Sequence, residues 1–308
     1  MTILSRPPSP MAEQLESGVG HLEFGPPPRF TDLVKWCTVA DVPHRELPAV
    51  PKYECRWTET APLIDGRLSK AAWDGAVWSE PFGEIRNGEL TGYETRVALL
   101  WDDDFLYAGF RVADPDIRAQ TVLPNEHVYV HDDDAELFID LGDSYYEIGV
   151  NPINCTYQIQ WTWLDPIVQS SDWARLEELF KLPDYLYYTR RSTESLGRVG
   201  DRDFSLPGLR HAVALDGSIN NPASPDKGWT VELAIPWRSL SDMSSEVCLP
   251  PRPGTSMKMQ AYRAQHDWSK ERENFLGGGT EFQGYTWSSM GNTNAHNPER
   301  WVVVNFHP

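Results

Sequence analysis

Residues 135–151 read AELFIDLGDSYYEIGVN. Apolar and polar side chains alternate on either side of Gly142-Asp143, which is typical of two half-buried strands joined by a tight turn. Because successive side chains point to opposite faces of a strand, the first strand has one apolar face and one face with Glu136, Phe138 and Asp140. The second strand turns Tyr145, Glu147 and Asn151 to the same side. The stretch therefore predicts a β-hairpin with a core face and a polar face.

The same alternation recurs along the chain. Thr95–Trp101 and Phe105–Val112 flank Asp102–Asp104, a composition that favours a hairpin turn. Further strands are predicted at His211–Leu215, Trp229–Ile235, Ser256–Gln265 and Trp301–Phe306. Helical patterns are short and occur at Asp65–Gly75 and Asp172–Phe180. Many strands and few helices predict an all-β fold, an antiparallel, jelly-roll-like β-sandwich.

The predicted domain organisation is simple. Residues 1–52 contain the proline-rich runs RPPSP and GPPPR, which indicate an irregular N-terminal arm. Residues 53–308 form one predicted sandwich domain, with a long, aromatic insertion at about 155–210. A single all-β domain of this size can bury a substantial core without disulfide bonds.

The charge of the chain limits its partners. Lys and Arg number 27 and Asp and Glu 45, which gives a net charge of −18. Such a surface repels nucleic-acid phosphates and anionic membranes, so neither is an expected partner. It favours a neutral or cationic ligand or a bound divalent cation, although solubility alone also explains an acidic surface. Hard cations prefer carboxylate oxygens, and calcium is therefore a possible cofactor at Asp132, Asp133 and Asp134.

The cysteines lie far apart, at positions 37, 55, 155 and 248, and form no C-x-x-C pair. The N-terminal sequence lacks the apolar core of a signal peptide. We therefore expect a soluble, cytoplasmic protein with free thiols. If the N-terminus is not the native one, a secreted protein is the alternative.

Several segments follow one another in a specific order. They are Leu63–Gly66 with Ala72-Trp73, Leu100–Asp103 with Phe105–Tyr107, His131–Asp140, Gly228–Trp237, and His296–Trp301. In that order they resemble the family 9 carbohydrate-binding modules and the stand-alone, DOMON-like proteins similar to them. The resemblance covers roughly residues 53–308, and Gly228–Trp237 is its strongest segment. It implies a β-sandwich, a sugar held between aromatic side chains, and structural calcium.

Candidate binding residues follow from the chemistry of sugars. Sugar C–H faces pack on aromatic rings, and the chain has 13 tryptophans. An aromatic clamp is predicted among those in or beside loops, namely Trp161, Trp163, Trp173, Trp268 and Trp287. Hydroxyl groups need multidentate polar partners, for which strand alternation or position in the family suggests Arg111, Asn151 and Arg263. Ion pairing on a solvated sheet face is the competing interpretation.

Two functions stay open from the sequence. The first is binding of a carbohydrate or sugar-like small molecule, including oligosaccharides, without catalysis. The second is a stand-alone glycoside hydrolase, lyase or isomerase that uses the same pocket, with ionisable groups at His131, Glu136, Glu147 and His296. No specific catalytic motif accompanies these residues. A third function, haem binding through Met257, Met259 or Met290, competes with the usual role of strand methionines in the core.

Overall fold

The computed structural model describes residues 46–69, 71–90, 92–126, 128–188, 196–272 and 279–308, except for the side chains of 267–272 and 279–282. The described residues divide into a larger unit, residues 46–158 and 205–308, and a smaller unit, residues 159–204. The predicted irregular arm lies outside the described residues apart from 46–52. The division into arm, sandwich and insertion therefore stays a prediction.

Strands dominate the described residues, and the helices are short. The helices are α1 Val128–His131, α2 Leu164–Gln169, α3 Trp173–Leu179 and α4 Trp237–Ser241, with 3-10 turns at Ala71–Trp73 and Pro298–Arg300. The strands are β1 Lys52–Trp57, β2 Gly83–Glu84, β3 Thr95–Trp101, β4 Phe105–Ala113, β5 Asp134–Asp140, β6 Ser144–Val150, β7 Thr156–Trp163, β8 Tyr185–Tyr188, β9 Arg198–Asp201, β10 Arg210–Asp216, β11 Gly228–Pro236, β12 Ser256–Arg272, β13 Gly279–Thr286 and β14 Val302–His307. No helix in the described ranges is long and apolar enough to cross a bilayer.

The larger unit is built on a folded-over sheet with the strand order β10-β11-β4-β3-β1-β14-β12-β5-β6, and β13 pairs with β12 and β2. Its pairs are antiparallel, except that β1 runs parallel to both β3 and β14. Arg263 on β12 donates a 2.7 Å hydrogen bond to the carbonyl of Ala113 on β4, although three strands separate β12 from β4 in the sheet. Distant parts of the sheet therefore face each other, and the predicted all-β sandwich is confirmed.

The two predicted hairpins are present as β3–β4 and β5–β6, with the predicted alternation of faces. The other four predicted strands appear as β10, β11, β12 and β14. The helix expected at Asp65–Gly75 is wrong, because only the 3-10 turn Ala71–Trp73 forms there. Gly66 has φ +82°, a left-handed backbone conformation that interrupts a helix. Its N–H donates to Glu232 on β11 instead of to a helical carbonyl.

The predicted helix at Asp172–Phe180 is present as α3, and its boundary has a clear cause. The side chain of Asp172 accepts a 3.1 Å hydrogen bond from the backbone N–H of Arg175 and so caps the first turn. Helices α2 and α3 belong to the smaller unit, where they pack on β8 and β9 through Leu164, Ile167, Leu176, Tyr185 and Val199. These contacts cover one face of that small sheet.

Strand register places the polar residues of the larger unit. Glu136 on β5 lies opposite Gly149 on β6 and Tyr262 on β12. Two residues further along β5, on the same face, Phe138 lies opposite Glu147 on β6 and Gln260 on β12. Since directly opposed residues share a face, Glu136 and Glu147 point to the same side of the sheet. This face is the natural place to look for a site.

Candidate functional site

Three acidic side chains meet on one face of β5 and β6. We call Asp134, Glu136 and Glu147 the carboxyl face. All three are buried, as are Tyr157 and His296 beside them. Acidic side chains are rarely buried unless they are paired or functional, so this concentration calls for a chemical explanation.

Tyrosine and histidine surround the Glu147 carboxylate. The Tyr157 hydroxyl donates a 3.0 Å hydrogen bond to Glu147 Oε1. On the other oxygen, Glu147 Oε2 lies 3.8 Å from His296 Nδ1, and that nitrogen is 2.8 Å from the Tyr145 hydroxyl. Gly149 leaves room for Tyr157, because a Cβ at Gly149 would lie 2.0 Å from Tyr157 Cε1. Backbone and side chains together hold Tyr157 against Glu147.

The electrostatics of the carboxyl face favour protonated acids. Burial raises the pKa of Glu136 well above its usual range, and the neighbouring Asp134 and Glu147 raise it further. Burial also raises the pKa of Asp134, although the backbone N–H of Ala264 lowers it by donating to Asp134 Oδ1 at 3.2 Å. A protonated carboxyl group both donates and accepts hydrogen bonds, which matches the hydroxyl groups of a sugar.

The structure thus brings together three of the four predicted catalytic residues, Glu136, Glu147 and His296. The fourth, His131, is half-buried at the end of α1, where its backbone carbonyl accepts from the Gln120 side chain at 3.4 Å. Nothing in the described contacts joins His131 to the carboxyl face.

The three consecutive aspartates predicted as calcium ligands diverge. Asp132 accepts hydrogen bonds from the backbone of Gln120 and Thr121 and from Asn151 Nδ2, all between 2.8 and 2.9 Å. Asp133 accepts from the backbone N–H of His266 at 2.6 Å, whereas Asp134 belongs to the carboxyl face. Among the described residues, no group of three or more acidic, histidine or cysteine side chains is arranged to hold a metal ion. Calcium at this run therefore finds no support in the geometry.

Asn151 and Arg263, both predicted to bind hydroxyls, are fully buried. Asn151 Nδ2 donates to Asp132 and to the Thr121 carbonyl, and Asn151 Oδ1 accepts from the Cys155 N–H, so its amide braces a loop. Arg263 lies on the opposite face of β12 from Tyr262. There it donates to Thr95 and lies 3.6 Å from Asp114, inside the sandwich. No described hydrogen bond joins the side chain of either residue to Asp134, Glu136 or Glu147.

The remaining candidates are dispersed. Arg111 is exposed on β4 and lies 3.8 Å above the Trp78 ring. Trp287 is half-buried and packs edge-on against Tyr53, with ring centroids 5.0 Å apart. The side chain of Trp268 lies outside the described part of the chain. Trp161 and Trp163 are buried in the smaller unit, and Trp173 is exposed at the start of α3. Met257, Met259 and Met290, considered for haem, are buried.

Sequence reasoning missed four residues that matter. Tyr157 and Tyr262 border the carboxyl face, Glu232 stabilises the loop before β2, and Arg198 lies buried in the smaller unit. Alternation along β12 could have found Tyr262, since Gln260 and Tyr262 alternate with the buried Met259 and Ala261. Arg198 gave no signal in its local sequence.

The fold can now be compared with known proteins. The family described as carbohydrate family 9 binding domain-like matches residues 64–163, which include β3 to β6 and the carboxyl face. A candidate carbohydrate-binding protein from Bacteroides uniformis is 14% identical and has a TM-score of 0.54, with 84% of this chain and 100% of that chain covered. This chain has a family 9-like fold. The resemblance predicted from the ordered segments is thereby confirmed.

Two further solved structures are similar to the family 9-like chain. Both are family 9 carbohydrate-binding modules from Caldicellulosiruptor kristjanssonii. The one in complex with cellotriose is 16% identical, with a TM-score of 0.47 and coverage of 83% of this chain and 93% of that chain. The one in complex with glucose is 16% identical, with a TM-score of 0.48 and coverage of 82% and 95%. No curated protein matches the chain.

Proposed function

We propose that this family 9-like protein binds a carbohydrate or sugar-like small molecule at the carboxyl face. The proposal rests on one observation, the convergence of Asp134, Glu136 and Glu147 on one buried face beside Tyr157 and His296. Hydroxyl-rich ligands need closely spaced donors and acceptors next to flat apolar surface, and this face offers both. The family match over residues 64–163 and the sugars bound by structures of similar fold support the ligand class.

The burial of the face has a consequence for binding. Glu136 and Glu147 are 4% and 3% exposed, so a ligand must enter an enclosed site. Polar groups removed from water bind a ligand hydroxyl strongly when every hydrogen bond is made and reject a ligand that leaves one unmade. We therefore expect selectivity among sugar epimers.

Titration calorimetry with glucose and cellotriose tests the proposal. Glu136→Leu removes both carboxyl oxygens with little change in volume, and we expect at least a tenfold loss of affinity. Glu177→Leu, at an exposed glutamate on α3 in the smaller unit, is the matched control and should bind like the wild type. Binding by neither sugar, or equal binding by Glu136→Leu and the wild type, would contradict the proposal.

A second function, catalysis at the same face, is favoured by the raised pKa of Glu136 beside the hydrogen-bonded Glu147. An acid kept protonated next to a carboxylate is the pair that glycoside hydrolysis requires. Glu136→Gln keeps the size of the side chain but cannot give up a proton. If the protein is a hydrolase, this variant binds glycosides and no longer releases product from them. Absence of turnover in the wild type leaves binding as the function.

A further inference from the structure

The smaller unit contains a buried guanidinium among aromatic rings. On β9, Arg198 lies directly opposite Trp163 of β7 on one side and Tyr188 of β8 on the other. Its Cζ lies 4.8 Å from the ring centroid of Trp161, 5.1 Å from that of Tyr188 and 6.0 Å from that of Trp163. We call these four residues the Arg198 cage.

The cage is built into the sheet. Its members share one face, and α2 and α3 pack on the other through Val199 and its neighbours. Gly200 has no side chain where the Trp161 indole lies, because a Cβ there would be 2.7 Å from Trp161 Cε3. Any larger residue would displace the ring from β9, so the backbone itself positions the cage.

The charge of Arg198 is only partly compensated. The side chain is 2% exposed, and no acceptor in the described part of the chain takes a hydrogen bond from Nε or Nη1. An arginine cannot shed its proton in a protein, so the charge persists in the buried site. The three rings attract it through their faces, but they do not satisfy donors that lie in the plane of the guanidinium.

Another arginine of this unit, Arg202, is paired with a carboxylate. Arg202 Nη1 lies 3.1 Å from the Asp184 carboxylate, and both side chains contact solvent. An aspartate or glutamate partner is therefore compatible with this small sheet. Arg198 instead has ring faces around it and open in-plane donors, an arrangement complementary to a carboxylate that comes from outside the unit.

We propose that the Arg198 cage binds the carboxylate of a small organic acid whose body packs on the tryptophan rings. Sugar acids and aromatic acids share this chemistry: a planar anion for the guanidinium, and a C–H-rich or flat surface for the rings. The proposal is independent of the carboxyl face, which lies in the larger unit and carries acids of its own.

Calorimetry with the full chain tests it with two acids and their neutral counterparts, galacturonate with galactose and benzoate with benzyl alcohol. We expect one acid to bind and its neutral counterpart to bind at least tenfold more weakly. Arg198→Met should lower the affinity for that acid at least tenfold. Arg198→Lys keeps the charge without the planar fork and should lower it several-fold, which gives a result even if Arg198→Met fails to fold.

Two controls separate this site from the carboxyl face. Arg202→Met, in the same unit, and Glu136→Leu, in the larger unit, should each bind the acid like the wild type. If neither acid binds the wild type, or if Arg198→Lys and Arg198→Met bind it unchanged, the proposal is overturned. If the wild type binds one of the acids but neither glucose nor cellotriose, the function proposed for the carboxyl face is contradicted and the proposal for the Arg198 cage is supported.

Discussion

Glu232 on β11 and Glu136 on β5 are both buried glutamates on central strands, yet their surroundings differ completely. Glu232 accepts hydrogen bonds from the backbone N–H groups of Asp65 and Gly66 and from Trp73 Nε1, at 2.7 to 2.9 Å. Glu136 has two acids, Asp134 and Glu147, as electrostatic neighbours. Burial alone therefore does not distinguish a glutamate that stabilises the fold from one proposed to bind a ligand, and the partners of each carboxyl group must be compared.

Both residues lie in segments that carry the family resemblance, Glu232 in Gly228–Trp237 and Glu136 in His131–Asp140, but for unlike reasons. The ordered motif Leu63–Gly66 with Ala72-Trp73 is tied to Gly228–Trp237 by one carboxylate, so two distant segments meet at Glu232. A carboxylate that accepts three hydrogen bonds replaces the water it loses on burial. The charged form of Glu136 is less well compensated, because burial and the neighbouring acids raise its pKa. Acidic groups with strongly shifted pKa values are common at binding and active sites.

The largest effect is expected from Glu232→Ala. It leaves two backbone N–H groups and an indole N–H without their acceptor, and the free energy of unfolding should fall by about 3–5 kcal/mol. Chemical denaturation monitored by circular dichroism measures the change. Glu54→Ala, at an exposed glutamate on β1, serves as the control. A loss below about 1 kcal/mol would mean that the hydrogen bonds to Glu232 do not stabilise the fold appreciably.

A smaller effect of opposite sign is expected from Glu136→Gln. Because the pKa of Glu136 is raised in the folded protein, folding favours its protonated form, and stability is lost as the pH rises above the ordinary glutamate value of about 4.3. The substitution should raise the free energy of unfolding by roughly 1–2 kcal/mol at pH 8 and leave it nearly unchanged at pH 4. Denaturation at both pH values measures the difference.

His266 must be separated from that measurement. Burial lowers its pKa from 6.5 to about 4, so its contribution to stability is lost as the pH falls through this range. This trend is opposite to the one expected for Glu136. Since His266 is common to wild type and variant, it cancels in their difference. A Glu136→Gln variant that is less stable than the wild type at pH 8 would mean that the carboxylate is compensated like Glu232.

Alternation in the sequence was sufficient to predict much of the fold and part of the site. The hairpin at 135–151 predicted that Glu136 and Glu147 share a face, and the register confirms it. The same rule, applied to β12, assigns Arg263 to the face of Met259 and Ala261, which is apolar and buried. Position in the family suggested a binding role for Arg263, whereas periodicity pointed to the interior.

Other features depend on contacts between distant segments and have no local signal. Asp132, Asp133 and Asp134 are identical in type and adjacent, yet they meet different partners. Asp132 accepts from the backbone of Thr121, whereas Asp133 and Asp134 accept from His266 and Ala264 on β12. Arg198 becomes an enclosed charge only when β7 and β8 pair with β9. The alternation pattern of a single strand predicts which face a side chain points to. It does not predict which residues of other segments that side chain contacts.

The smallest effect is expected at Arg111, an exposed residue of β4. It stacks on Trp78 at 3.8 Å and lies opposite a second cation, Arg96, on β3. The attraction to the ring and the repulsion from Arg96 oppose each other, and an exposed cation–π contact contributes only about 0.5–1 kcal/mol. Arg111→Ala should therefore change the free energy of unfolding by less than about 1 kcal/mol and leave the affinity for glucose or cellotriose unaltered. Chemical denaturation measures the free energy of unfolding. Titration calorimetry measures the sugar affinity of Arg111→Ala, with Glu136→Leu measured alongside for comparison. A loss of sugar affinity in Arg111→Ala as large as that in Glu136→Leu would move the binding site from the carboxyl face to the exposed surface of β4, because Arg111 has no described contact with the buried acids.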